Sequence, residues 1–191
     1  MFLRIINDTH AFGVNPSYSV EDLKYLIQSS KYPVILNGDI VDVANCKYDE
    51  LQQAYKLLTW LSMNVEFKVR GNHECNAVSW PDELMVGKLI LVAHGDQCMW
   101  GLERSDKFRN QKYGAGWFER NIISKTLDGL RRYWTVRPND RLIQWVKDAK
   151  KRYPELKYCF FGHSHGFAEF EVDGVKCMIL PRGVNDINLL I

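Results

Sequence analysis

The amino-acid sequence predicts a layered α/β fold, and three observations predict it. Apolar runs of strand length lie at residues 2–7, 34–37, 65–69, 89–93 and 158–161. Helix-period patterns separate the first three of them. Every run stops at a loop built from Gly, Asp, Asn or His. Strands that alternate with helices in this way pack as parallel pairs at the centre of a sheet covered by helices. A chain of 191 residues is long enough for one domain with a full core, and no internal repeat, low-complexity tract or linker divides it. A single domain over 1–191 is expected.

Residues 2–7 read as the first buried strand, because the run is too short for a secretory h-region and reaches Asn7-Asp8 without a small-residue cleavage site. Ser19-Val20-Glu21-Asp22 has the form of a capping box, and Leu23, Leu26 and Ile27 follow at helical spacing. Pro33 ends that connection, and 34–37 is a short buried strand before Gly38-Asp39. Asp49 is placed to cap a second helix whose apolar face is Leu51, Ala54, Tyr55, Leu58 and Leu61. The alternating run 65–69 leads into Gly71-Asn72-His73-Glu74, where the glycine is expected to turn the backbone at positive φ. The rhythm then breaks. Gly101, Gly114, Gly116 and Gly129 punctuate helical patterns, which predicts a helical insert near 99–137 with additional helices over 103–132. Arg137-Pro138-Asn139-Asp140 starts a further helix carrying Leu142, Ile143, Val146 and Ala149. Asp173-Gly174 between two alternating runs signals a hairpin, and 187–191 is expected to return as a last strand.

Composition excludes several classes. With 46% hydrophobic and 25% charged residues the chain has ordinary soluble character. No apolar run reaches the ~18 residues that a membrane span requires. Five cysteines, odd in number and without a CxxC pair, fit a reducing compartment, so the cytoplasm is the expected location. Their spacing also argues against a structural zinc site. Cys75 and Cys98 lie near the polar loops and are candidate metal contacts. The net charge of +2 is uneven: from Arg104 to Arg137 nine Lys or Arg face three acids, which leaves −4 for the remainder. Nothing in the sequence speaks to oligomeric state.

The polar loops carry the chemistry. All five histidines, His10, His73, His94, His163 and His165, follow a strand-like run and stand beside Gly, Asp, Asn or another His. Imidazoles and carboxylates at strand ends belong to one rim of a sheet, where ligands gather in layered α/β folds. Asp8-x-His10, Gly38-Asp39-x-x-Asp42, Gly71-Asn72-His73-Glu74, His94 and Gly162-His163-x-His165 together resemble the calcineurin-like metallophosphoesterases, in that family's order and over most of the chain. The resemblance implies a β-sandwich of the metallophosphoesterase type flanked by helices. It also implies a dinuclear phosphoesterase that hydrolyses a phosphomonoester or phosphodiester by attack of a metal-bridging hydroxide. One divalent ion would take Asp8, His10, Asp39 and His165, and the other Asp39, Asn72, His94 and His163. Mn2+ is the expected ion, with Fe, Ni and Zn as alternatives suited to oxygen and imidazole donors. His73 is left as the acid–base residue, while Asp42, Glu74 and Asp96 are expected to orient it or a ligand imidazole.

Substrate contacts are sought in the insert and the last loop. Phe108, Tyr113, Trp117, Phe118, Tyr133 and Trp134 interleave with basic residues, so Arg131 and Arg132 suit the phosphates of a small molecule or of a nucleic acid. An amphipathic cap accounts for the same pattern. The insert also resembles the cap of the UDP-2,3-diacylglucosamine hydrolase branch, which usually carries Arg where this chain has His73. In Pro181-Arg182-Gly183-Val184-Asn185, where relatives often show Asn-Pro-Gly-Ser, Arg182 is a candidate phosphate contact. A nuclease acting through the insert and a non-catalytic scaffold of the same fold are the alternatives.

Overall fold

In the computed structural model, which describes residues 1–13, 15–75, 77–110 and 136–189, two sheets pack face to face with helices on both outer sides. The first sheet holds β1 (Phe2–Asn7), β2 (Val34–Asn37), β3 (Phe67–Val69) and β9 (Gly183–Asn188) in the order β3-β2-β1-β9. The second holds β4 (Glu83–Val86), β5 (Ile90–Ala93), β6 (Tyr158–Phe161), β7 (Ala168–Val172) and β8 (Val175–Ile179) in the order β4-β5-β6-β8-β7. Central pairings are parallel, β1 with β2, β2 with β3, β5 with β6 and β6 with β8, while β9, β4 and β7 pair antiparallel at the margins.

The continuous apolar runs follow from this layering, because a strand covered on both faces cannot alternate with polar residues. Leu3 and Ile5 of β1 face Ile90 and Val92 of β5 and Tyr158 and Phe160 of β6 in one core between the sheets. Their neighbours point outward. Ile6 and Leu36 meet Leu23 and Ile27 of α1 (Val20–Gln28) and Ala54, Leu58 and Leu61 of α2 (Leu51–Asn64). Leu91, Cys159 and Phe161 meet Leu142, Val146 and Ala149 of α5 (Asp140–Arg152), with α3 (Asp96–Trp100) and α4 (Leu102–Arg109) before it in the chain.

Local signals are mostly met. Ser19 Oγ accepts the Asp22 N–H at 3.0 Å, and Asn139 caps α5 by accepting the Leu142 N–H at 2.9 Å. Asp173 and Gly174 both take positive φ, 49° and 76°, as a two-residue turn between twisted strands requires. Three expectations are corrected. Asp49 does not cap α2: a 3-10 turn, Tyr48–Glu50, precedes the helix, and Glu50 closes it by accepting the Lys47 N–H at 3.3 Å. The last strand begins at Gly183 rather than 187, because its pairing with β1 runs from Gly183 opposite Asn7 to Asn188 opposite Phe2. Strand β4 was not anticipated, since an edge strand with four half-buried residues has no clear alternation. Of the expected insert helices, α4 lies among the described residues and 111–135 lie outside them, with the Tyr113, Trp117, Phe118, Arg131, Arg132, Tyr133 and Trp134 contacts expected there.

Phe160 is fully buried between the sheets. Phe160→Ala should therefore cost about 3–5 kcal/mol, read as a lowered urea midpoint with the two-state slope retained.

Candidate metal centre

Parallel pairing places the carboxyl ends of β1, β2, β3, β5 and β6 along one edge, where the polar loops that follow them gather. Asn7 and Asn37 are the last residues of β1 and β2, both fully buried. Asn7 Nδ2 donates to Asp8 Oδ2 at 2.6 Å, and the Asn37 carbonyl lies 2.9 Å from His94 Nδ1. The sequence reading missed both roles. An asparagine closing an otherwise apolar strand was the available signal.

The loops then bring the expected residues together. Asp8, His10 and His165 form one group with donor atoms mutually within 4.8 Å, and Asp39, His94 and His163 form another. Asp39 joins the two, since it also groups with His10 and His73. His10 Nε2 lies 3.1 Å from His165 Nε2, His165 Nε2 3.3 Å from Asp8 Oδ1, and His94 Nε2 3.1 Å from Asp39 Oδ2. Five of the residues expected as ligands, Asp8, His10, Asp39, His163 and His165, hold positive φ between 51° and 66°. Left-handed backbone costs a non-glycine residue about 1–2 kcal/mol, and such strain gathers at functional sites.

Buried polar atoms left without partners test whether cations fit here. Asn72 Oδ1 and His163 Nδ1, both lone-pair donors, are buried and make no hydrogen bond. An unmet buried polar group costs about 1–3 kcal/mol, so this concentration of them calls for an electron-pair acceptor. Burial, helped by the charge on His94, pushes His163 down to about 3, which leaves its imidazole neutral, the form that ligates. Burial opposes ionisation of Asp8 and Asp39, but the surrounding imidazoles hold both below the usual carboxylate range. The carboxylate and imidazole donors gathered here suit a divalent cation. Cys75 and Cys98 do not join it: both are buried free thiols, burial pushes Cys75 up to about 12 and raises Cys98 as well, and neither belongs to a metal-competent group among the described residues.

His73 stands at the side of this cluster, with 19% of its side chain exposed. Its Nδ1 is 2.7 Å from Asp42 Oδ1, and its Nε2 is 3.9 Å from Asp39 Oδ2. Burial alone would lower its pKa, but Asp42 and Asp39 outweigh that and raise it to about 9. Asp42 also lies 3.5 Å from His10 Nδ1, so one carboxylate orients two imidazoles. Asn45, unrecognised in the sequence, donates to both Asp42 oxygens at 3.0 and 3.1 Å.

Other assignments are corrected. Glu74 orients no imidazole; its carboxylate accepts the backbone N–H groups of Asp39, Ile40, Val41 and Gly71 at 2.5–3.1 Å and so stitches the β2 and β3 loops together. Burial and the nearby Asp39 charge raise its pKa to about 7 against the pull of those donors. Asp96 turns away from the cluster to Ser105 and to Arg109, whose Nη2 is 2.9 Å away, because α4 needs an anchor on α3. Arg182 directs its guanidinium to the carbonyls of Thr9, at 3.3 Å, and Asn15, bracing the first loop. Gly71 is not at positive φ. Its value is the missing side chain, since a Cβ there would overlap Asp39 Oδ1 and N. Trp100, unanticipated, sets its ring 4.1 Å from His163, and Phe108, expected among the aromatics of the insert, lies 5.2 Å from His73.

The family model for calcineurin-like phosphoesterases matches residues 3–167. The chain belongs to that family. Its fold is similar to a dimetal phosphatase from Danio rerio at 14% identity and a TM-score of 0.52, covering 95% of this chain and 87% of that one. A serine/threonine phosphatase from Saccharomyces cerevisiae (21% identity, TM-score 0.48, 95% and 67% covered) and Vacuolar Protein Sorting 29 from Cryptosporidium parvum (16%, 0.48, 95% and 74%) are further likenesses. No curated protein matches the chain.

Gly71→Ala should destabilise the protein by about 1–3 kcal/mol, because backbone and a site carboxylate must both move to admit one methyl group. Urea unfolding measures it, and an unchanged midpoint would contradict the close approach.

Proposed function

We propose that this phosphoesterase is dinuclear, with one divalent ion held by Asp8, His10, Asp39 and His165 and a second by Asp39, Asn72, His94 and His163. The observation that carries the reading is Asp39: its carboxylate belongs to groups on both sides of the cluster, as a bridging ligand must. A bound pair of divalent ions supplies an acidified water and neutralises charge on the phosphoryl oxygens. The chain's own residues supply the rest. Asp42 holds His73 by Nδ1, which turns Nε2 toward the cluster, where it can give a proton to the departing ester oxygen. Glu74 keeps the Asp39 loop from relaxing away by fixing four N–H groups of the two loops. Trp100 and Phe108 shield the imidazoles from bulk water on the side of α3 and α4. Mn2+ is the expected ion, Fe, Ni and Zn suit the same oxygen and imidazole donors, and phosphomonoesters and phosphodiesters are both suitable substrates. A purely scaffolding role is disfavoured, because the chain retains every donor and the acid–base histidine.

Metal analysis of the Mn-loaded protein should give two ions per chain. Asp39→Asn should lower occupancy at both sites, whereas Asn72→Ala should lower it at one. Equal, single-site losses would remove the bridging role. His73→Ala should cut turnover of p-nitrophenyl phosphate or its bis-ester by about 10²–10⁴ while both ions stay bound. Loss of an ion with it would reassign His73 as a ligand.

A further inference from the structure

Beside the imidazole cluster, α3, α4 and the start of α5 border an open surface pocket of about 430 Å3 lined by Trp100, Gly101, Glu103, Arg104, Lys107 and Arg141. Three cations face one acid there. The seam is built: Arg141 Nη1 donates to the Trp100 carbonyl at 2.7 Å, and Asn139 Nδ2 donates to the Met99 carbonyl at 3.0 Å, so the start of α5 is fastened to the end of α3. Gly101 permits that approach, since a Cβ at this position would overlap Arg141 Nη1. Helix α4 starts beside the cavity without a side-chain cap, adding the positive end of its dipole to the same space.

One indole connects the cavity to the metal centre. The Trp100 ring lies 4.1 Å from the His163 ring, edge to face, and carries the Arg104 guanidinium 4.8 Å from its centroid. Trp100 borders both the cluster and the pocket, so a substrate held at the cluster and reaching past this ring meets Arg104 and Lys107. Both side chains are exposed and can swing onto a ligand, and guanidinium pairs bidentately with phosphate oxygens.

We infer that the cavity lined by Trp100, Arg104, Lys107 and Arg141 binds a second phosphate of the substrate, which makes small bisphosphorylated molecules the preferred substrate class. The inference rests on the phosphoesterase reading for the scissile end only. A surface pocket of this volume, bordered by three helices, has room for one phosphate and a sugar-sized spacer.

Fructose 1,6-bisphosphate and fructose 6-phosphate differ by that one group and serve as probes. The Mn-loaded protein should favour the bisphosphate in kcat/KM by about tenfold or more, carried by KM, the weight of one charge-assisted hydrogen bond. In the double variant R104Q/K107Q that preference should collapse toward one. Calorimetric titration with fructose 1,6-bisphosphate in a His73→Ala background, where turnover is silenced, should show weaker binding for the double variant and a flatter dependence on salt. Equal kcat/KM for the two sugars, or an unchanged preference and affinity in the double variant, would overturn the subsite. Hydrolysis of p-nitrophenyl phosphate without a bisphosphate preference removes the subsite alone. Binding that depends on Arg104 and Lys107 in a protein that hydrolyses nothing upholds the subsite and removes the phosphoesterase reading.

Discussion

The carboxylate of Asp39 is the group on which the rest of the rim depends. It stands in a left-handed turn after β2, its Oδ1 accepts the His73 N–H at 2.7 Å, and its Oδ2 lies 3.1 Å from His94 Nε2. Three strands from two sheets thus meet on one side chain. Glu74 holds that turn from below through backbone N–H groups, and Gly71 leaves room for it. A negative charge buried to 1% exposure would be costly alone, and its neighbours show how the cost is offset: imidazoles gather around it, and the unmet lone pairs of Asn72 Oδ1 and His163 Nδ1 suit cations.

The site is strained and under-bonded, and the three packed cores beneath it make that tolerable. Strands buried on both faces supply apolar contact between the sheets and under each helical layer, so several left-handed residues and unmet polar atoms can persist above them. Stability is concentrated in the layers and chemistry at their edge. Arg109 extends the arrangement to the insert: buried between Asp82 and Asp96, it ties α4 to the strand margin and keeps Phe108 against His73. The same tie sets the wall of the basic cavity, so access to the metal centre and recognition beyond it share one anchor.

Much of this was legible in the residues. The strand runs, the cap at Ser19, the Asp173-Gly174 hairpin and the polar loops all report local chemistry, which a chain writes down directly. Misreadings came where a side chain's partner is distant in sequence. Glu74 and Asp96 were read as imidazole partners because they sit near histidines in the chain, yet Glu74 bonds backbone in another loop and Asp96 bonds a helix of the insert. Arg182 was read as a phosphate contact for its charge, whereas its carbonyl partners, Thr9 and Asn15, lie more than a hundred residues earlier.

By itself the sequence determined most of the strand segments, where the central ones stop, and which donor types stand at the stops, because periodicity, turn chemistry and side-chain identity are properties of short stretches. Tertiary structure alone decided which of those donors converge on Asp39, which acids serve as struts, and that Trp100 joins the imidazole cluster to a pocket of cations. Those outcomes depend on strand order and on the packing of two sheets, and neither is encoded in any window of residues short enough to read by pattern.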